Sequence, residues 1–177
     1  MASDFQRRKM AGVFDAMDAD ANGFLEEQDF EALTERWVGI RGWEPGTPDH
    51  ERMRGILMGW WAGLVAMGDE NSDGKVSFDE LMALVDQLGA MRAEVEATSD
   101  AMFDAIDENG DGRISVDEHK QVVKAWKGTD EGVEEVFGRL DLNGDGHLSR
   151  DEFRELWFEF WAGADETAPG QWVFGHF

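Results

Sequence analysis

The sequence predicts an all-α protein built from four helix–loop–helix units arranged in two pairs. Three observations lead there. A twelve-residue acidic pattern recurs four times, beginning at Asp18, Asp69, Asp107 and Asp141. Apolar residues before and after the copies recur at the helical period. The composition, 42% hydrophobic and 11% aromatic over 177 residues, is too apolar for an acidic disordered tail and long enough to bury a core.

Taken in order, the first helix is marked by Met10, Val13, Phe14 and Met17, which lie on one face and lead into the first acidic segment. Thr47 and Pro48 then form a helix start, with Thr47 as cap and Pro48 in the first turn, followed by a long stretch from Asp49 to Met67 that enters the second segment. Leu81, Leu84, Val85 and Leu88 give the next helix its buried stripe. The flanks of the third segment fit less well, because Ser99 and His119 occupy two positions where apolar residues are expected. Val133, Val136, Phe137 and Leu140 precede the fourth segment, and Phe153, Leu156, Trp157 and Phe160 follow it. After Gly163 the chain turns at Pro169 and Gly170 and carries Trp172, Val173, Phe174 and Phe177. Leaving that much apolar surface in water is costly, so the tail is expected to dock.

The four segments read DADANGFLEEQD, DENSDGKVSFDE, DENGDGRISVDE and DLNGDGHLSRDE. A hard divalent cation such as Ca²⁺ wants six to eight oxygen ligands, and short side chains at positions 1, 3 and 5 can turn inward around it. Those are Asp18, Asp20 and Asn22; Asp69, Asn71 and Asp73; Asp107, Asn109 and Asp111; and Asp141, Asn143 and Asp145. Gly at position 6 allows a sharp turn, which lets position 7 offer its backbone carbonyl whatever its side chain, here Phe24, Lys75, Arg113 and His147. Glu80, Glu118 and Glu152 at position 12 can each supply two oxygens. The first segment departs there, with Asp29 one methylene shorter. That change moves it toward Mg²⁺ or weaker Ca²⁺ binding unless Glu26 at position 9 compensates. The apolar residue at position 8 points away from the ion and suits a short β-bridge between paired loops.

With these residues in place, the four segments resemble EF-hand calcium loops, and the resemblance covers nearly the whole chain. Loop starts are separated by 51, 38 and 34 residues. The stretched first interval resembles the sarcoplasmic calcium-binding proteins and their bacterial relative calerythrin. That resemblance implies a compact protein with loops 18–29 and 69–80 in one pair (residues 1–92), loops 107–118 and 141–152 in a second (93–163), and an aromatic tail (164–177). It implies a non-enzymatic calcium buffer or transporter taking three to four Ca²⁺, with Mg²⁺ possible at the first loop. The competing readings are a calcium sensor with a protein target and a small-ligand protein of the coelenterazine-binding and photoprotein branch. The absence of Tyr speaks against luminescence.

The formal charge of −23, from 39 Asp and Glu against 16 Lys and Arg, argues against nucleic acid as a partner. Nineteen of the acidic residues lie in the four loops, five each in the first three and four in the last, so much of the imbalance is a metal-binding inventory. Cys is absent, which removes disulfides and thiolate metal sites and fits a reducing cytoplasm. No apolar run follows the basic cluster Arg7, Arg8 and Lys9, so a secretory signal is not expected, and that cluster reads as a solvated helix face. His50, His119, His147 and His176 share no zinc-like spacing, and no catalytic arrangement is present. The pair Trp60 and Trp61 and the scattered Met residues read as core. A monomer is expected, bound to neither membrane nor nucleic acid.

Overall fold

The computed structural model describes residues 3–175; His176 and Phe177 lie outside them. The chain divides into two units, Met1–Gln87 and Leu88–Phe177. The first carries α1 (Asp4–Met17), β1 (Phe24–Leu25), α2 (Glu27–Arg41), α3 (Pro48–Gly68), β2 (Val76–Ser77) and α4 (Phe78–Leu88). The second carries α5 (Arg92–Ile106), β3 (Arg113–Ile114), α6 (Val116–Lys127), α7 (Val133–Leu140), β4 (Leu148–Ser149), α8 (Arg150–Ala162) and a 3₁₀ turn at Pro169–Trp172. Among the described residues no helix is long and apolar enough to cross a membrane.

Each unit is tied together at its loops. β1 pairs antiparallel with β2, setting Leu25 opposite Val76, and β3 with β4, setting Ile114 opposite Leu148. These position 8 side chains are buried, at 0–1% exposure, so the strands that bring paired loops together also anchor them in the core. Every flanking residue that the period assigned to a buried face is buried, from Met10 through Phe160.

Helix ends follow local chemistry. Ser3 caps α1 reciprocally with Gln6, Thr47 accepts a hydrogen bond from the His50 N–H, and Pro48 opens the 21-residue α3. Aromatic pairs then fix the packing. Phe30 of α2 meets Trp60 and Trp61 of α3 at 5.7 and 5.2 Å between ring centres, and Phe14 of α1 meets Phe78 of α4 edge-on at 5.6 Å. In the second unit Phe103 meets Phe153 at 5.8 Å, and Trp157 Nε1 donates to Thr98 Oγ1. Asp100 of α5 accepts both Nε and Nη2 of Arg154 on α8, at 2.9 and 3.0 Å.

Three polar residues depart from the sequence reading. Ser99 and His119 fill core positions at 0% and 1% exposure, so the third unit keeps the buried helical stripe and changes only the chemistry of two places on it. Lys9 is 3% exposed instead of lying on a solvated face, and burial pulls its pKa down to about 7. Arg7 does stay outside, paired with Asp79 and lying over the Phe78 ring.

Position 4 of every loop lies in the left-handed region. Gly110 and Gly144 occupy it in the second unit, but Ala21 (φ 54°) and Ser72 (φ 61°) occupy it in the first. A side chain there costs roughly 1 kcal/mol, partly offset by the greater freedom of unfolded glycine. Ser72→Gly is therefore expected to stabilise the first unit by up to about 1 kcal/mol, read as a higher urea midpoint at fixed calcium; a lower midpoint contradicts this strain.

Candidate metal centres

The first Asp of each loop closes the helix before it. The N–H groups of Asp18, Asp69, Asp107 and Asp141 donate to the carbonyls of Phe14, Val65, Phe103 and Phe137 at 2.8–3.1 Å. The side chain of the same residue then organises the turn. Its Oδ1 accepts the N–H of position 5 (Asn22, Asp73, Asp111 and Asp145) at 3.1–3.2 Å. Its Oδ2 accepts the N–H of the position 6 glycine (Gly23, Gly74, Gly112 and Gly146) at 2.7–2.9 Å. Position 5 in turn accepts the N–H of position 7 (Phe24, Lys75, Arg113 and His147) at 2.9–3.0 Å. The four loops thus share one hydrogen-bond scheme although their side chains differ. The position 6 glycines all have φ between 80° and 85°, which a side chain rarely adopts.

Position 12 is drawn back over the loop from the helix that follows. In loops 2, 3 and 4 one carboxylate oxygen of Glu80, Glu118 and Glu152 accepts both the N–H and the Oγ–H of the serine at position 9. Those serines are Ser77, Ser115 and Ser149, and these six bonds measure 2.7–2.9 Å. The second oxygen faces the start of the loop. Glu118 accepts from the N–H of Glu108 and Asn109, Glu152 from that of Asn143, and Glu80 from the Asn71 side chain. The two hydrogen bonds from Ser77 hold the Glu80 carboxyl below the usual range, so it stays ionised. The serines position the glutamates. Their signature in the sequence is the Ser-x-x-Glu capping spacing.

Loop 1 solves the same problem with a shorter side chain. Asp29 Oδ2 accepts the Glu26 N–H at 2.8 Å, and Oδ1 accepts the Ala19 N–H at 2.9 Å. It is 1% exposed, and one oxygen each from Asp18, Asp20 and Asp29 lies within 4.8 Å of the others. Among the described residues, no other three carboxylate, imidazole or thiol ligands gather that closely. Burial raises the Asp29 pKa, and the charges of Asp18 and Asp20 add to the rise, while the two backbone donors oppose it. Glu26 does not join this trio. Its Oε1 pairs with Lys75 at 2.9 Å, its Oε2 takes the Asn22 amide at 2.7 Å, and the Lys75 bond holds its carboxyl low.

The donor set fits a hard cation. Each loop presents carboxylate, amide and carbonyl oxygens with no nitrogen or sulfur ligand. In every loop hydrogen bonds link position 1 to positions 5 and 6, position 5 to position 7, and position 12 to the N–H of position 9. Of the histidines, His50 is buried with Nε2 at 3.2 Å from Glu35, and His119 is buried with Nε2 at 2.7 Å from the Val173 carbonyl. Both are occupied structurally, as is the tail, whose partners are described below.

Comparison with known proteins agrees with this geometry. A family model described as an EF-hand domain pair matches residues 97–158, and a second described as an EF hand matches residues 66–85. Sarcoplasmic calcium-binding proteins I, III and IV of Branchiostoma lanceolatum are 29% identical over 83 residues, 46% of this chain and 45% of theirs. The chain thus spans less than half the length of the curated relatives it matches. Among solved structures, the calcium-loaded apo form of coelenterazine-binding protein from Renilla muelleri superposes with a TM-score of 0.77 at 26% identity, covering 98% of this chain and 96% of that one. A sarcoplasmic calcium-binding protein from amphioxus superposes with a TM-score of 0.74 over 100% of both chains, at 21% identity. Four loops with one hydrogen-bond scheme, paired through short strands and flanked by helices, give the chain the EF-hand fold of these structures, and its sequence is similar to that of sarcoplasmic calcium-binding proteins.

Proposed function

We propose that this protein is a cytoplasmic, monomeric calcium buffer or transporter that takes three to four divalent ions, without enzymatic activity. The ligands proposed for loops 2 to 4 are the side chains at positions 1, 3, 5 and 12 with the carbonyl at position 7. Those positions are Asp69, Asn71, Asp73, Lys75 and Glu80; Asp107, Asn109, Asp111, Arg113 and Glu118; and Asp141, Asn143, Asp145, His147 and Glu152. Loop 1 is proposed to use Asp18, Asp20, Asn22, the Phe24 carbonyl and Asp29. Its short carboxylate offers a smaller sphere, which favours Mg²⁺ there. Four divalent ions bring the formal charge from −23 to −15, relieving repulsion at the sites where it is densest.

The observation that carries the reading is the position 12 carboxylate, drawn over each loop and held by backbone and serine donors before any ion is considered. Such a prearranged site spends little binding energy on ordering itself. Buffering is favoured over sensing because the aromatic tail fills the apolar surface of the second unit that a sensor opens to its target. A buffer of this kind is expected to bind less hydrophobic dye as Ca²⁺ is added, because its core tightens. A sharp calcium-dependent rise in dye fluorescence contradicts buffering and supports a sensor.

A further inference from the structure

The segment that follows α8 touches three helices that run into or out of the second unit's loops. On α8, the Gly170 N–H donates to Glu159 Oε2 at 2.9 Å and the Gln171 side-chain amide donates to the Glu159 carbonyl at 3.0 Å. Phe174 is 1% exposed, with its ring centre 5.7 Å from Trp157 and 5.0 Å from Phe160 of α8 and 4.4 Å from Trp126 of α6. On α7, the Arg139 guanidinium lies 5.0 Å from the Trp172 ring centre, two residues before Asp141 opens loop 4. On α6, His119 reaches the Val173 carbonyl, and His119 is the residue next to Glu118, which closes loop 3. A carbonyl only accepts, so Nε2 carries the proton in this contact. The fit is tight, because a Cβ on Gly170 stands 2.4 Å from the Leu156 carbonyl oxygen and 2.5 Å from Glu159 Cβ.

We infer that docking of residues 169–175 and ion occupancy of loops 3 and 4 stabilise one another, the tail acting as an internal ligand that raises the calcium affinity of the second unit. The inference rests on the proposal that those loops bind calcium. The link is geometric. Glu118 and Glu152 are drawn over their loops in the same arrangement that seats the tail, and a shift of α6 that carries Glu118 away also carries His119 away from Val173. Linkage then requires reciprocity: whatever factor the tail adds to ion affinity, the ion adds to tail docking. Loops 1 and 2 belong to the other unit and serve as an internal control.

The test uses the full chain. Calcium titrations followed at the amide signals of Gly23, Gly74, Gly112 and Gly146 read each loop separately, because each of these amides bonds the first carboxylate of its own loop. In Gly170→Ala, which unseats the tail by steric contact, and Phe174→Ala, which removes its anchor, affinity at loops 3 and 4 is expected to fall about tenfold while loops 1 and 2 keep theirs. In the unaltered chain, hydrogen exchange of the Gly170, Val173 and Gly175 amides is expected to slow about tenfold on calcium addition, a readout that survives if either variant folds poorly. Equal affinities at loops 3 and 4 in both variants, or tail exchange indifferent to calcium, overturn the coupling. Loops 3 and 4 that take no calcium in the unaltered chain overturn the calcium assignment itself, and with it this inference.

Discussion

Stripping divalent ions with a chelator is expected to lower the melting temperature by about 20 °C or more. An ion that binds only the folded loop stabilises it by RT ln(1 + [L]/Kd), about 4 kcal/mol per site at a thousandfold excess over Kd. Three such sites give about 12 kcal/mol, and each kcal/mol moves the midpoint of a chain this size by about 2–4 °C. Repulsion works in the same direction. Asp18, Asp20 and Asp29 hold oxygens within 4.8 Å of one another, and a bound cation offsets the repulsion among them. The two units can melt separately, so the shift is best followed by calorimetry, where each transition is resolved. A melting curve unchanged by chelator contradicts the assignment of the loops as metal centres.

Replacing the closing glutamate is expected to disable one loop at a time. In Glu118→Gln the ion loses one of two carboxylate oxygens and a full negative charge, and the two Ser115 donors lose a charged acceptor. Charge-assisted bonds are worth about 1.5–3 kcal/mol each, so affinity at loop 3 is expected to fall at least a hundredfold. Glu80→Gln and Glu152→Gln carry the same expectation for loops 2 and 4, because Ser77 and Ser149 hold those glutamates identically. Calorimetry of each variant is expected to show one ion fewer than the unaltered chain. An unchanged stoichiometry in all three contradicts the proposed role of position 12.

What the sequence discloses and what it hides divide along physical lines. Ion ligation needs short oxygen-bearing side chains at fixed spacing and a glycine at a left-handed turn, so loop boundaries and the strand pairs at Leu25 and Val76 and at Ile114 and Leu148 could be placed from residue order alone. Helical period located the buried faces of α4, α7 and α8 because those faces carry only apolar side chains, and that of α1 through Met10, Val13, Phe14 and Met17. Where a polar residue takes a core position, the period stays but the composition argues against it. Ser99, His119 and Lys9 were legible as places on a helix and not as buried residues. His119 is accommodated because the tail brings it a carbonyl from 54 residues away, a contact no local rule foresees. Burial keeps its ring neutral, with a pKa of about 4, so it stays an uncharged donor to that carbonyl across the physiological range. The left-handed backbone at Ala21 and Ser72 was hidden for the opposite reason: their side chains do not favour it, and the loop scheme of hydrogen bonds imposes it.

Loop 1 sharpens the account most. Sequence alone marks it as the exception through Asp29, and the structure turns that exception into a buried carboxylate close to two others, with Glu26 committed to Lys75 and Asn22. The proposal that loop 1 takes a smaller ion than loops 2 to 4 rests on this cluster.

The most direct measurement is a calorimetric titration with Ca²⁺ in excess Mg²⁺. Three ions are expected at loops 2, 3 and 4 with comparable affinity, and a first loop that holds Mg²⁺ or takes Ca²⁺ separately and more weakly. Fewer than three calcium ions per chain, or four equivalent sites indifferent to Mg²⁺, contradict this.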